Sequence, residues 1–200
     1  MRMNYDENEI YNYLVKEFIS NDKQELIRAI NLAIKYHEGQ ERVGGQPYII
    51  HPLWITWYAY LLGISDDNIL EALLLHDVIE DCDVEIEDLK VNKIVEKTLL
   101  AVTHVRNKEM TRAESRKMYF DNLSNDKNAV LVKAFDRYHN VMSMAGNLSK
   151  KSIKRNIKET REVLFPIIEK AKEKWPEYKN IFTILKINIQ SVIEAIEEAS

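Results

Sequence analysis

The sequence predicts an all-α fold, and two observations carry that expectation. Only five glycines and four prolines occur in 200 residues, too few for the many tight turns of a sandwich or barrel. Apolar residues recur instead at helical spacing in one segment after another. A chain of this length fits one domain, and 46% hydrophobic with 30% charged residues is ordinary for a soluble globular protein.

Ile10, Tyr13, Leu14 and Phe18 mark a first helix over Ile10 to Ile19, interrupted by the capping residues Ser20-Asn21-Asp22. A second runs from about Lys23 to Tyr36, with Leu26, Ile30, Ala33 and Ile34 inward. His37 to Pro47 reads as a loop holding three of the five glycines, which implies unusual backbone angles or close approach to a ligand. Proline favours the first helical position, so His51 is expected at the N-cap of a helix from Pro52 to Leu62, ended by Gly63. Ser65-Asp66-Asp67 caps the next helix, which carries the stretch from Glu71 to Asp83. Val84 to His104 is expected to be helical after a short acidic connection, and Asn107 to Thr111 is polar. Helices follow over about Ala113 to Leu123, Asp126 to Met144, Lys151 to Lys174 and Pro176 to Ala199, the last two separated by Trp175-Pro176. Without a repeat, linker or low-complexity segment, residues 1–200 are expected to form a single domain.

A net charge of −4 argues against general nucleic-acid affinity, which needs a basic surface. The lone Cys82 excludes an intrachain disulfide and suits a reducing compartment. Met1 to Glu9 has no apolar signal-peptide core, and the longest apolar run, Leu53 to Ile64, is too short to span a membrane. The expectation is a cytoplasmic protein with no membrane partner, its oligomeric state left open.

Chemistry concentrates at His76-Asp77-Val-Ile-Glu80-Asp81. On a continuous helix, Glu80 lies four residues after His76 and Asp81 four after Asp77, so all four side chains share one side. Carboxylates packed that closely repel, and a divalent cation would relieve them. Two histidines and two aspartates suit an octahedral ion such as Mn²⁺, with positions open to water and substrate. His76 and Asp77 supply two ligands. Asp136 is a candidate for another, because it interrupts the apolar run Ala129-Val-Leu-Val-Lys-Ala-Phe135, where a buried carboxylate needs a partner; a salt bridge in a core network is the alternative. His37, His104 and His139 are read as structural histidines.

His51-Pro52, His76-Asp77-Val-Ile-Glu80-Asp81 and Asp136-Arg137-Tyr-His139-Asn140 together resemble the HD phosphohydrolase superfamily. The chain is most similar to the hydrolase domain of the RelA/SpoT-type alarmone synthetase/hydrolases and to small stand-alone alarmone hydrolases. Ala33 to Pro52, Glu114 to Met118 and Leu131 to Asn140 extend the likeness, which covers about Leu26 to Pro166. It implies a compact multi-helix HD-domain bundle in which His51, His76, Asp77 and Asp136 hold one Mn²⁺. Glu80 and Asp81 would handle the attacking water and its proton. Arg42 would lie against the guanine ring, Tyr48 would shape that side of the pocket, and Asn140 and Ser143 would contact ribose or phosphates. The implied reaction removes pyrophosphate from the 3′ position of ppGpp or pppGpp, giving GDP or GTP. So anionic a substrate needs cations, for which Arg42, Arg116, Lys117, Lys133, Arg137 and the run Lys150-Lys151-Lys154-Arg155-Lys158 are candidates, the run being otherwise a solvated helix face.

The chain departs from that family at three places. Val43 stands where a Lys is frequent, Cys82 where Thr is common, and Met142 where an Arg often follows Asn140. Val43 and Met142 motivate a second reading, an HD phosphohydrolase acting on another nucleotide such as a phosphorylated dinucleotide or a nucleoside monophosphate. A third is a catalytically silent nucleotide-binding protein, whose mark would be loss of a ligand or of the acidic pair; neither is lost. At 200 residues no synthetase domain is expected beside the hydrolase.

Overall fold

The computed structural model describes residues 6–104 and 109–199; residues 1–5, 105–108 and 200 lie outside it, and with them part of the N-terminal stretch and the start of the polar segment at Asn107. Helices α1 (Glu7–Ser20), α2 (Gln24–Tyr36), α3 (Ile50–Leu61), α4 (Asp67–Leu75) and α5 (Val78–Asp81) form the first half. After a 3-10 turn at Ile86–Leu89 come α6 (Lys93–Val102), α7 (Arg112–Leu123), α8 (Lys127–Met144) and α9 (Lys150–Glu159). A π-helical turn at Thr160–Leu164 leads into α10 (Phe165–Lys174), and a 3-10 turn at Pro176–Tyr178 leads into α11 (Lys179–Glu198). Among the described residues the only strand-like pairing is one bridge between Glu41 and Pro47. The expected all-α bundle is what the chain forms.

Side-chain caps set most helix starts. Asp6, Asp66, Asn92, Asp126 and Ser149 each accept a backbone N–H from the first turn of the helix that follows. Thr111 and Glu114 complete a reciprocal capping box on α7. The centre is α4, which packs against α2, α3, α6 and α8, while α11 lies along α8 and α10. Leu70, Leu73, Leu74 and Leu75 of α4 have no exposed surface, and burying each contributes roughly 1.5–3 kcal/mol. Helix α3 is apolar nearly all round and is correspondingly enclosed from Ile50 to Thr56.

Four expectations are corrected. His51 is not an N-cap: α3 begins at Ile50 after Ile49, so His51 lies inside its first turn. Pro52 is tolerated there because the first four amides of a helix have no intrahelical acceptor. The stretch from Glu71 to Asp83 is not one helix, since a turn at His76-Asp77 divides α4 from α5. The Leu73 carbonyl, which would accept from residue 77 in an uninterrupted helix, accepts from the His76 ring at 2.9 Å. Val84 to His104 is also broken, with Lys90 in the left-handed region (φ 49°) before Asn92 caps α6. Finally, Lys151 to Lys174 passes through the π turn directly ahead of Pro166, whose ring clashes with a regular helical carbonyl four residues earlier.

Candidate metal centre and cleft

Three helices deliver the polar atoms. His51 comes from the first turn of α3, His76 and Asp77 from the turn between α4 and α5, and Asp136 from the middle of α8. His51, His76 and Asp136 are 1%, 4% and 4% exposed. The Nε2 atoms of His51 and His76 are 3.2 Å apart. Asp77 Oδ2 is 3.0 Å from His76 Nε2 and 3.5 Å from His51 Nε2. Asp136 Oδ1 is 3.3 Å from His51 Nε2 and 4.0 Å from His76 Nε2.

These separations fit a metal ion. Two ligand atoms at right angles around an ion about 2.1 Å away stand about 3.0 Å apart. The tautomer of His76 agrees. Its Nδ1 faces a backbone carbonyl, which can only accept, so the neutral ring carries its proton there and turns the Nε2 lone pair inward. His51, His76 and Asp77 bring ligand atoms within 4.8 Å of one another; Asp136 stands outside that group but approaches it from the His51 side, at 3.3 Å from Nε2. Burial opposes charge on His76, but Asp77 and Asp136 outweigh it and raise the ring's pKa. Burial would raise Asp136, but Lys133, 2.9 Å from its Oδ2, holds it well below the usual range. The salt bridge considered for Asp136 therefore exists beside its contacts with the histidines.

Around these atoms lies a second layer of partners. The Tyr48 hydroxyl lies 2.5 Å from Asp77 Oδ2 and 2.8 Å from Asp81 Oδ2, with one proton to donate between the two carboxylates. Burial, then the Asp77 carboxylate, pushes the phenol's pKa up, so it remains a donor. His37 stacks on the Tyr48 ring at 4.6 Å. Asn140 donates to Asp136 Oδ1, and its own Oδ1 accepts from Arg42 Nη2 at 2.8 Å. His139 Nδ1 lies 2.8 Å from His51 Nδ1. Burial first, then His51 and Arg42, pushes His139 down to about 2, and burial takes His51 down to about 4.

The turn at His76-Asp77 removes the continuous helix on which the four side chains were expected to share one side, but Asp81 still meets Asp77 across the Tyr48 hydroxyl. Glu80 and Asp81 are both exposed; Glu80 accepts from the His104 amide at 3.2 Å and Asp81 faces the Tyr48 hydroxyl. Although the residue is exposed as a whole, desolvation around its carboxyl raises the Glu80 pKa above the ordinary glutamate value.

Beside Asp136 opens a cleft of about 430 Å³, bordered by Arg42, Tyr48, Lys133, Arg137, Asn140 and Ser143, within the usual size of small-molecule sites. Arg42 also donates to Ser143 Oγ at 3.2 Å, so three of the four residues expected at the substrate meet, and Tyr48 lines the same cleft. The turn bearing Arg42 is closed by Arg42 N–H to Gln46 O at 2.8 Å and by Gly45 at φ 76°. At Gly44 a Cβ would come 3.2 Å from the end of the exposed Asn147 side chain, which would have to shift slightly.

An HD-domain family model matches residues 29–170. The chain belongs to the HD-domain family. It is 32% identical over 149 residues to a GTP pyrophosphokinase of Streptomyces coelicolor, a match covering 72% of this chain and 17% of that protein. It is also 32% identical over 162 residues to a guanosine-3′,5′-bis(diphosphate) 3′-pyrophosphohydrolase of Vibrio cholerae, covering 77% of this chain and 23% of that one. The chain spans about a fifth of the length of these two relatives. A solved structure of a metazoan orthologue of SpoT, described as hydrolysing ppGpp, shares the fold with a TM-score of 0.63 at 19% identity, over 88% of this chain and 94% of that one.

Within this HD domain several sequence candidates separate. Lys133 and Arg137 line the cleft, whereas Lys117 pairs with Asp121 at 3.1 Å and Arg116 pairs with Glu159. The basic run Lys150 to Lys158 lies on α9; Lys150, Lys154 and Lys158 border a different groove with Ile153, Ile157 and Ile196. Val43 lines the cleft, but Met142 packs half-buried against the core. Cys82 donates to the Tyr36 carbonyl at 3.3 Å and ties α5 to the end of α2. Sequence reasoning missed His139. Its spacing of three from Asp136 was the available signal, since residues so spaced share a helix face.

Proposed function

We propose that residues 1–200 act as one Mn²⁺-dependent hydrolase domain that removes the 3′-pyrophosphate of ppGpp or pppGpp, releasing GDP or GTP. What supports this reading most is the grouping of His51, His76 and Asp77, with Asp136 3.3 Å from His51 Nε2 at the edge of a cleft lined by Arg42, Asn140 and Ser143. The relatives named as pyrophosphohydrolases support the choice of reaction. Mixed imidazole and carboxylate donors suit Mn²⁺. When bound, the ion supplies Lewis acidity toward water and the phosphoryl oxygens.

The chain's own residues divide the remaining work. His51, His76, Asp77 and Asp136 hold the ion. Asp81, joined to Asp77 through the Tyr48 hydroxyl, and Glu80, with its raised pKa, take the proton that water loses on attack. Arg42 leaves Asn140 and Ser143 to lie on the guanine ring, which frees their polar atoms for ribose or phosphate. Lys133 and Arg137 offset phosphoryl charge from the cleft wall. The lone half-buried thiol of Cys82 suits the cytoplasm as the setting. Among the described residues, no helix is long and apolar enough to cross a membrane.

One observation favours a second substrate. Val43 is 65% exposed on the cleft wall where a Lys is frequent in the family, so the cleft has one cation fewer for a highly charged nucleotide. A panel of nucleotides incubated with Mn²⁺ and resolved by anion-exchange chromatography separates the two readings. Conversion of ppGpp to GDP, abolished in Asp77→Ala, is expected. Rapid cleavage of another nucleotide with ppGpp untouched selects the second reading.

A further inference from the structure

We infer that His139 is a positioning residue for the proposed metal centre: its Nδ1 accepts the Nδ1–H of His51 and fixes the ring that presents Nε2 to the ion. The inference rests on the reading of His51, His76, Asp77 and Asp136 as a metal site.

The two Nδ1 atoms are 2.8 Å apart, a hydrogen-bond distance that needs one proton between two ring nitrogens. Its place follows from the other side of His51. There Nε2 faces His76 Nε2 at 3.2 Å and Asp136 Oδ1 at 3.3 Å, a position for a lone pair directed at an ion. The His51 proton therefore sits on Nδ1, and His139 offers a lone pair in return.

The His139 ring is held for this purpose. It lies 4.8 Å from the His51 ring and 4.8 Å from Trp54. Trp54 follows His51 by three residues on α3, and His139 follows Asp136 by three on α8. Helix α8 thus supplies the ligand Asp136 and, one turn later, the partner of the His51 ring, while Trp54, one turn after His51 on α3, packs on that partner. Metal-binding histidines commonly lean on a carboxylate, a carbonyl or water. A neutral imidazole adds no charge, so two carboxylates and two neutral rings present a total that balances a divalent cation.

The test uses Mn²⁺ alone, without nucleotide, titrated calorimetrically into the full chain. His139→Phe keeps the ring and removes the acceptor, and should weaken Mn²⁺ binding by about 10–100-fold. His139→Asn places an oxygen near the lost Nδ1 and should restore most of that affinity. Unchanged affinity in His139→Phe, or equal losses in both variants, overturns the proposal. If His76→Ala binds Mn²⁺ as the unmodified chain does, the metal-site reading itself fails. A second measurement needs no variant. In the unmodified chain loaded with Zn²⁺ as a diamagnetic probe, nitrogen NMR should show His51 Nδ1 protonated and His139 Nδ1 bare; the reverse assignment overturns the proposal.

Discussion

Tyr48 has one hydroxyl proton and two carboxylates within reach, Asp77 at 2.5 Å and Asp81 at 2.8 Å. Its contribution therefore differs from that of Arg42, although both line the cleft. Removing the hydroxyl in Tyr48→Phe leaves the ring stacked on His37 but frees Asp81 from Asp77. Steady-state kinetics should then show kcat falling by about 10-fold or more, as loss of alignment costs, with KM little changed. Arg42→Ala should behave oppositely, with KM raised and kcat nearly kept, because it removes substrate contact. A purely pocket-shaping Tyr48 would instead raise KM. At this scale the sequence singles out Asp136 by its place in an apolar run and His76 by its acidic neighbours, whereas His51 is singled out only by the family resemblance. The sequence was not legible where geometry alone decides, as with the turn of the Tyr48 hydroxyl or the pairing of His139 with His51.

Among the elements, α4 shows why the metal stretch was half-read. Its apolar run and Asp66 cap are plain in the sequence, but no Gly or Pro announces the break at His76; the break comes from the His76 ring competing for the Leu73 carbonyl. The start of α3 lies two residues before the expected Pro52 because a proline is accepted at any of the first few positions. Helix α4 also carries Glu71, buried against α2 with Arg28 at 3.1 Å. Burial raises its pKa to about 7 despite Arg28. An acid raised in the fold favours folding while protonated and loses that contribution as pH rises. The thermal stability of the unmodified chain relative to Glu71→Gln should therefore fall between about pH 4.5 and 7 and be level above; melting curves at matched ionic strength measure it. Helix α11 is held by fully buried residues such as Leu185, facing the core that contains α8. Leu185→Ala should cost about 2–5 kcal/mol in denaturant unfolding, a loss expected only if the C-terminal helices belong to the same cooperative unit.

In the whole molecule, residues far apart in sequence meet because three buried helices cross near one point, and the loop from His37 to Pro47 lies beside it. The chain's net charge is −4, yet the cleft presents Arg42, Lys133 and Arg137, so attraction for an anionic substrate is local. The all-helical class was readable from composition and periodicity, since helices bury apolar faces at fixed spacing. The convergence of the site was not, because spacing within a helix carries no information about which helices cross. The central proposal is removal of the 3′-pyrophosphate, and phosphorus NMR of ppGpp incubated with the Mn²⁺-loaded chain tests it most directly. The expected result is loss of the 3′-diphosphate resonances, appearance of pyrophosphate and retention of the 5′-diphosphate, with no change in the presence of Asp77→Ala. Loss of the 5′-phosphates first, release of single phosphates, or equal turnover by Asp77→Ala would contradict it.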